Sequence, residues 1–164
     1  MRRPYTQEDS ITEVLNKMQD IKIKLISDKA HVPERASDGA AGYDLRACLD
    51  TPYKIKRGEI FAVPTGVCLE LPSKNYVAML CARSGLAIKH GITLANSVGI
   101  IDSDYRGEIK VGLINLGPED FEIVPGERVC QMLILPVELP DIELVSELGR
   151  TERGAGGFGS TGRK

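Results

Sequence analysis

The chain has 164 residues, with 21 Lys and Arg against 23 Asp and Glu and a formal net charge of −2. That length allows one domain with a real core and is short for two of ordinary size, and the near-neutral charge gives no long-range field to recruit nucleic acid or an anionic membrane. His31 and His90 lie far apart with no Cys or His at metal-ligand spacing, and Cys48, Cys68, Cys81 and Cys130 form no C-x-x-C pair, which sets aside a structural zinc and leaves the cysteines as small hydrophobes of a reduced, cytoplasmic protein.

Arg2 and Arg3 are followed by no apolar stretch of signal-peptide length, and no later run is long enough to span a bilayer, so a soluble chain without membrane association is expected. Asp9 or Ser10 can cap a short amphipathic helix over residues 10–19, with Ile11, Val14, Leu15 and Met18 at helical spacing. From Ile21 the period becomes two: Ile21, Ile23 and Leu25 alternate with Lys22, Lys24 and Ile26, the pattern of a strand with one buried face. Further strands are expected at 43–49, 60–71, 76–81, 92–95, 108–115, 121–124, 129–137 and 142–144, between turn signals such as Asp38-Gly39, Arg57-Gly58, Pro72-Ser73, Leu116-Gly117-Pro118 and Pro125-Gly126. Such spacing predicts an all-β, distorted jelly-roll-like antiparallel domain whose open edges favour oligomerisation. After Gly149 the composition shifts to Gly, Ser, Thr and Arg with one aromatic, Phe158, too little to order itself. The expected organisation is an N-terminal helical extension over 1–20, a β domain over 21–149 and a flexible arm over 150–164.

Four clusters carry chemistry. The arm contains Gly154-x-Gly156-x-x-Gly159, which matches the dinucleotide fingerprint by letter but lacks the strand before it and the helix after it. Composition alone describes a disordered glycine-rich end. Glycines that let backbone N–H groups approach phosphates, the Ser160 and Thr161 hydroxyls, Arg153 as a phosphate fork and Phe158 as a stacking ring together describe a nucleotide lid. Ala82-Arg83-Ser84-Gly85-Leu86-Ala87 follows a strand and reads either as a surface loop or as phosphate-binding equipment. In the stretch from Asn96 to Gly107, the apolar Ile100-Ile101 ends abruptly in Asp102; Asp104 suits a polar turn, whereas Asp102, beside two isoleucines, suits a partly desolvated base. Asp44 lies inside a strand, where a charge needs a cation, a metal-bound water, or a salt bridge with Arg46 or Arg83.

In this order, Ala41-Gly42-Tyr43-Asp44-Leu45, Arg83-Ser84-Gly85-Leu86, Gly99-Ile100-Ile101-Asp102-Ser103-Asp104-Tyr105-Arg106-Gly107, Gly126-Glu127-Arg128-Val129-Cys130-Gln131 and residues 153–162 resemble the five motifs of the trimeric dUTPase family. The resemblance implies a homotrimer with active sites at subunit interfaces, closed by exchanged C-terminal arms, and magnesium-dependent hydrolysis of dUTP to dUMP and pyrophosphate, which keeps uracil out of DNA and supplies dUMP for dTMP synthesis. By position it implies that Asp102 is the general base for water attack on the α-phosphorus. It implies that Tyr105 packs on deoxyribose, that Asn96, Ile100 and Ile101 read uracil, and that Lys110 makes a further substrate contact. Arg83, Ser84, Gly85 and Gln131 match phosphate-contacting residues, Asp44 matches an acid of the magnesium site acting through water, and in the arm Phe158 covers uracil while Arg153, Gly159, Ser160 and Thr161 hold phosphates.

Ala82 stands where the family commonly has Pro. A dCTP deaminase or a bifunctional deaminase-dUTPase shares the fold but places a Glu where this chain has Gly112; a non-catalytic nucleotide-sensing trimer would share the pocket. Ser84 and His90 could be imagined as nucleophile and base, but no third member accompanies them.

Overall fold

The computed structural model describes residues 20–157; the helix expected over 10–19 therefore lies outside the described residues. Among the described residues, eleven strands and one helix follow in the order β1 Lys22–Leu25, β2 Tyr43–Arg46, β3 Tyr53–Ile55, β4 Ile60–Pro64, β5 Val67–Glu70, β6 Tyr76–Ala82, α1 Ser84–His90, β7 Ile92–Leu94, β8 Gly99–Ile101, β9 Lys110–Asn115, β10 Phe121–Ile123 and β11 Arg128–Pro136. The architecture is antiparallel and jelly-roll-like. A four-stranded sheet runs β2-β11-β6-β8 and a three-stranded sheet β4-β9-β7, with the pairs β1-β5 and β10-β3 flanking them.

The core follows the alternation of the strands. In β9 the burial alternates residue by residue, with Val111, Leu113 and Asn115 inside, and Leu45, Ile55, Val63, Leu80, Ile92 and Met132 fill the same cluster. Each such side chain contributes about 1.5–3 kcal/mol of burial. Asn115 belongs there because every polar atom of its side chain is satisfied: Nδ2 donates to the carbonyls of Ile55 (3.0 Å) and Glu119 (2.8 Å), and Oδ1 accepts from Gly117 N (2.9 Å).

Four expectations change. The apolar run 60–71 is two strands, because Gly66, at φ 67°, turns the chain between them. β3 was not foreseen; Tyr53-Lys54-Ile55 is too short to show a period, and its pairing with β10 makes it a strand. The stretch after Arg83 is a helix and not a loop: only Leu86 is buried, so seven residues present a single apolar contact and no visible periodicity. Gly91, at φ 70°, ends it by donating to the Ala87 and Leu86 carbonyls, as helix-terminating glycines do. Residues 142–144 form no strand. Ile142 and Leu144 are 99% and 98% exposed, so their apolar pattern finds no partner among the described residues.

Candidate active site

β8 and the turn after it form one wall of a cavity of about 430 Å³ lined by Ile100, Ile101, Tyr105, Glu108 and Lys110. Ile100 and Ile101 pair opposite Met79 and Ala78 of β6. The strand is pressed close, since a Cβ on Gly99 would lie 2.9 Å from Leu80 Cβ. Beyond β8 the chain clamps itself. Tyr105 N donates to Asp102 O (3.1 Å), Arg106 Nη1 donates to the carbonyls of Ser103 (2.8 Å) and Tyr105 (3.0 Å), and the Tyr105 hydroxyl donates to Glu108 O (2.9 Å).

Asp102 follows Ile101 directly and is exposed. The partial desolvation expected of it is not supplied within one chain, because Ile100 beside it is itself 56% exposed. Asn96 is exposed in the β7–β8 connection, where Ser97 holds φ 64° and Val98 N donates to Asn96 O (2.7 Å). A non-glycine residue in that left-handed region costs about 1 kcal/mol, so strain is held at this tip. Lys110 Nζ stands 3.8 Å from Glu108 Oε2, and Glu108 Oε1 accepts from Gly66 N (2.8 Å). Glu108 carries no distinguishing mark in the sequence, since an acid just before an apolar strand is found at many strand ends.

A second cluster gathers at the other end of the same sheet. β11 lies between β2 and β6, so Gln131 faces Asp44 on one side and Cys81 on the other. Asp44 is 5% exposed. Arg128 Nη1 donates to its Oδ2 at 3.0 Å, Arg83 Nε lies 3.3 Å from its Oδ1, and Arg83 Nη1 donates to Arg128 O (3.2 Å). The ion pair with Arg83 is thus realised, whereas Arg46 donates instead to Gly126 O (3.0 Å). Arg128 is the partner that sequence reasoning left without a role; its register opposite Arg46 at a bulge of β11 hides it. Arg83 Nε is within ion-pair distance, but no donor is directed at Oδ1, which is buried without a hydrogen bond.

This arrangement decides what Asp44 can offer a metal. No group of three His, Cys, Asp or Glu side chains poised for a metal occurs among the described residues, and two guanidiniums already balance the Asp44 charge, so a direct protein cage does not fit. Only an outer contact is left, at Oδ1, the oxygen without a hydrogen bond, and because that atom is buried a metal-bound water would reach it only with a shift of its neighbours.

Ser84 and Gly85 open α1, both exposed, and a Cβ on Gly85 would meet nothing within 4 Å. His90 closes the helix with its ring centroid 4.9 Å from that of Phe121. Six residues of helix rise by roughly 9 Å, so Ser84 and His90 are no nucleophile–base pair. Ile101, opposite Ala78, and Arg83 are separated along β6 by five residue steps, roughly 17 Å at about 3.3 Å per residue. Ile100, Ile101, Tyr105 and Lys110 therefore gather at one place, and Asp44, Arg83 and Gln131 at another. Arg153 is exposed, its Nε donating to Gly156 O (2.8 Å). Phe158, Gly159, Ser160 and Thr161 lie outside the described residues.

The dUTPase family profile matches residues 28–162. A deoxyuridine 5'-triphosphate nucleotidohydrolase of Desulfitobacterium hafniense is 50% identical over 149 residues, covering 88% of this chain and 99% of the relative. One of Burkholderia mallei is 47% identical over 144 residues, covering 88% of this chain and 97% of the relative. Among solved structures, a variant of the dUTPase of Staphylococcus bacteriophage 80alpha with dUpNHpp superposes with a TM-score of 0.80 at 26% identity, over 88% of this chain and 99% of that one. A dUTPase from phage phi11 of S. aureus, described with a structural Mg(II) ion, superposes at 0.72 and 22% identity over 79% of this chain and 98% of that one, a likeness of fold.

Proposed function

The chain belongs to the dUTPase family, and from that premise we propose which of its residues perform the reaction. It is an enzyme, a dUTP nucleotidohydrolase that releases dUMP and pyrophosphate. The observation that carries the residue assignment is the cavity at the turn that holds Asp102, whose lining of Ile100, Ile101, Tyr105, Glu108 and Lys110 combines an apolar wall, a ring and a Lys–Glu pair, the mixed apolar and polar lining of a small-ligand site.

Asp102 accepts a proton from the attacking water as the water oxygen bonds to the α-phosphorus, and pyrophosphate departs in line. Tyr105 lies against the deoxyribose and leaves no room for a 2′-hydroxyl. Asn96, Ile100 and Ile101 present the hairpin that reads uracil, where a mismatched base edge would leave buried groups unpaired. Lys110 makes a further substrate contact. Arg83, Ser84, Gly85 and Gln131 hold the phosphates, with Arg83 aimed by Asp44. Arg153, Gly159, Ser160 and Thr161 add phosphate contacts from the arm, and Phe158 stacks on the base. Bound Mg²⁺ would neutralise the triphosphate and orient its α-phosphorus, with Asp44 Oδ1 as the protein group that receives a metal-bound water.

The working unit is a homotrimer. Two facts support it: the base and the phosphate holders stand toward opposite ends of one sheet, so a site shared between subunits joins them, and Leu139, Ile142, Leu144 and Leu148 extend beyond β11 between 60% and 99% exposed, an apolar arm suited to another subunit. The division into 1–20, 21–149 and 150–164 follows the same reading, as does a cytoplasmic location; no helix among the described residues is long and apolar enough to cross a membrane. Gly112 carries no carboxylate, which leaves dCTP deamination without its acid–base group. Pyrophosphate release should be rapid with dUTP and weak with dTTP, dCTP and UTP, should need Mg²⁺, and should yield no ammonia from dCTP. Ammonia at a rate near that of dUTP hydrolysis would overturn the reading.

A further inference from the structure

Gly107 lies two residues past Tyr105, and an ideal Cβ built on it would sit 2.4 Å from the Tyr105 Oη, 2.6 Å from Cζ and 3.1 Å from Cε2. Those separations are far inside van der Waals contact. The glycine is not there for its backbone: Gly58, Gly66, Gly91, Gly126 and Gly154 hold positive φ, and Gly107 does not. Its need is steric, and what it makes room for is one ring.

That ring has little freedom. Its hydroxyl is tied to Glu108 O at 2.9 Å, and the backbone that carries it is held by the Tyr105 N to Asp102 O bond and by Arg106 Nη1 on the carbonyls of Ser103 and Tyr105. One side of the ring rests on Gly107 while the residue, 44% exposed, lines the cavity. We propose that Gly107 is a positioning residue for sugar selection: its missing side chain is the bed that sets where the Tyr105 ring stands against the sugar. The inference rests on the reading that this cavity takes the deoxyribose of dUTP. A methyl group in the bed cannot be absorbed by the clamped turn, so the ring must leave its hydroxyl anchor and swing aside, which opens the space that a ribose 2′-hydroxyl would occupy.

The test is the ratio of kcat/KM for dUTP to that for UTP, measured on the full chain as wild type, Gly107→Ala, Tyr105→Ala and Gly107→Ala/Tyr105→Ala. Gly39→Ala, at a site where a Cβ meets nothing within 4 Å, serves as control. Gly107→Ala should lower the ratio about tenfold or more, mainly by admitting UTP, because a ring misplaced by about 1 Å loses much of its exclusion. In the Tyr105→Ala background the bed is empty, and Gly107→Ala should change the ratio less than about twofold, the coupling expected of residues in contact. Should the single variant not fold, recovery of folding in the double variant supports the clash with the ring. A Gly107→Ala enzyme that keeps the ratio, or that loses both substrates in proportion, overturns the inference while leaving the dUTPase reading intact. A wild type indifferent to the 2′-hydroxyl removes the sugar-pocket reading and the inference with it.

Discussion

Arg128 donates from Nη1 to Asp44 Oδ2 at 3.0 Å, across two strands whose residues stand 84 apart in sequence. Arg83 approaches the other oxygen at 3.3 Å, so one buried carboxylate fixes two arginines at one end of the sheet. Asp44→Asn keeps the shape and removes the charge. We expect a loss of stability of about 1–3 kcal/mol, below the figure for fully buried pairs because both arginines retain access to water. Pyrophosphate release should fall at least about tenfold as Arg83 loses its aim. Thermal unfolding and a steady-state assay on the same preparation check both.

Asp102→Asn should reduce kcat by about a hundredfold to ten-thousandfold, the usual contribution of a general base, with dUTP binding preserved, since the amide occupies the same space. Stopped-flow product release and equilibrium binding separate the two effects. Turnover equal to wild type would sink the base assignment.

Truncation after Arg150 removes residues 151–164, Arg153 among them. On the proposed lid role, hydrolysis should collapse while light scattering still reports an oligomer held by the β domain. Unchanged turnover would exclude the lid.

Asn115→Leu should cost about 2–4 kcal/mol, seen as a lower denaturant midpoint. The carbonyls of Ile55 and Glu119 and the Gly117 N–H would lose their partner, and an unmet buried polar group costs about 1–3 kcal/mol. A midpoint equal to wild type contradicts this.

Burial pushes the Cys130 thiol up from 9.0 to about 12, with smaller raising effects from Cys81 and Asp44 and a lowering one from Arg83. The folded state therefore favours the neutral thiol. Its contribution to stability is complete below pH 9.0 and is lost as pH climbs toward 12. At pH 8 Cys130 should resist alkylation in the native protein and react on unfolding, which mass spectrometry of iodoacetamide-treated samples reads.

The strands with long apolar alternation were legible in the sequence. Residues 76–81, 108–115 and 129–137 were expected and appear as β6, β9 and β11 with ends shifted by one or two residues. What escaped were the elements whose identity lies in a partner: β3, a strand only beside β10, and α1, a helix with one buried side chain. Residues 142–144 are the opposite case, an apolar pattern that no other described residue covers. For the site, Ile100, Ile101, Tyr105 and Lys110 are marked in the sequence by the family resemblance and share one cavity in the fold, whereas Glu108 and Arg128 gain their partners only where the fold carries Gly66 and Asp44 to them.

β11, the last strand among the described residues, occupies an interior place in its sheet, between β2 and β6. On the ribosome, β2 and β6 must wait for it with unpaired edges, and Asp44, Gln131 and Arg83 have no common neighbourhood until residue 136 has emerged. The corner of Asp44, Arg83 and Gln131 is thus a late part of the sheet to form, its assembly a long-range event, and a chain interrupted before β11 is one that lacks it.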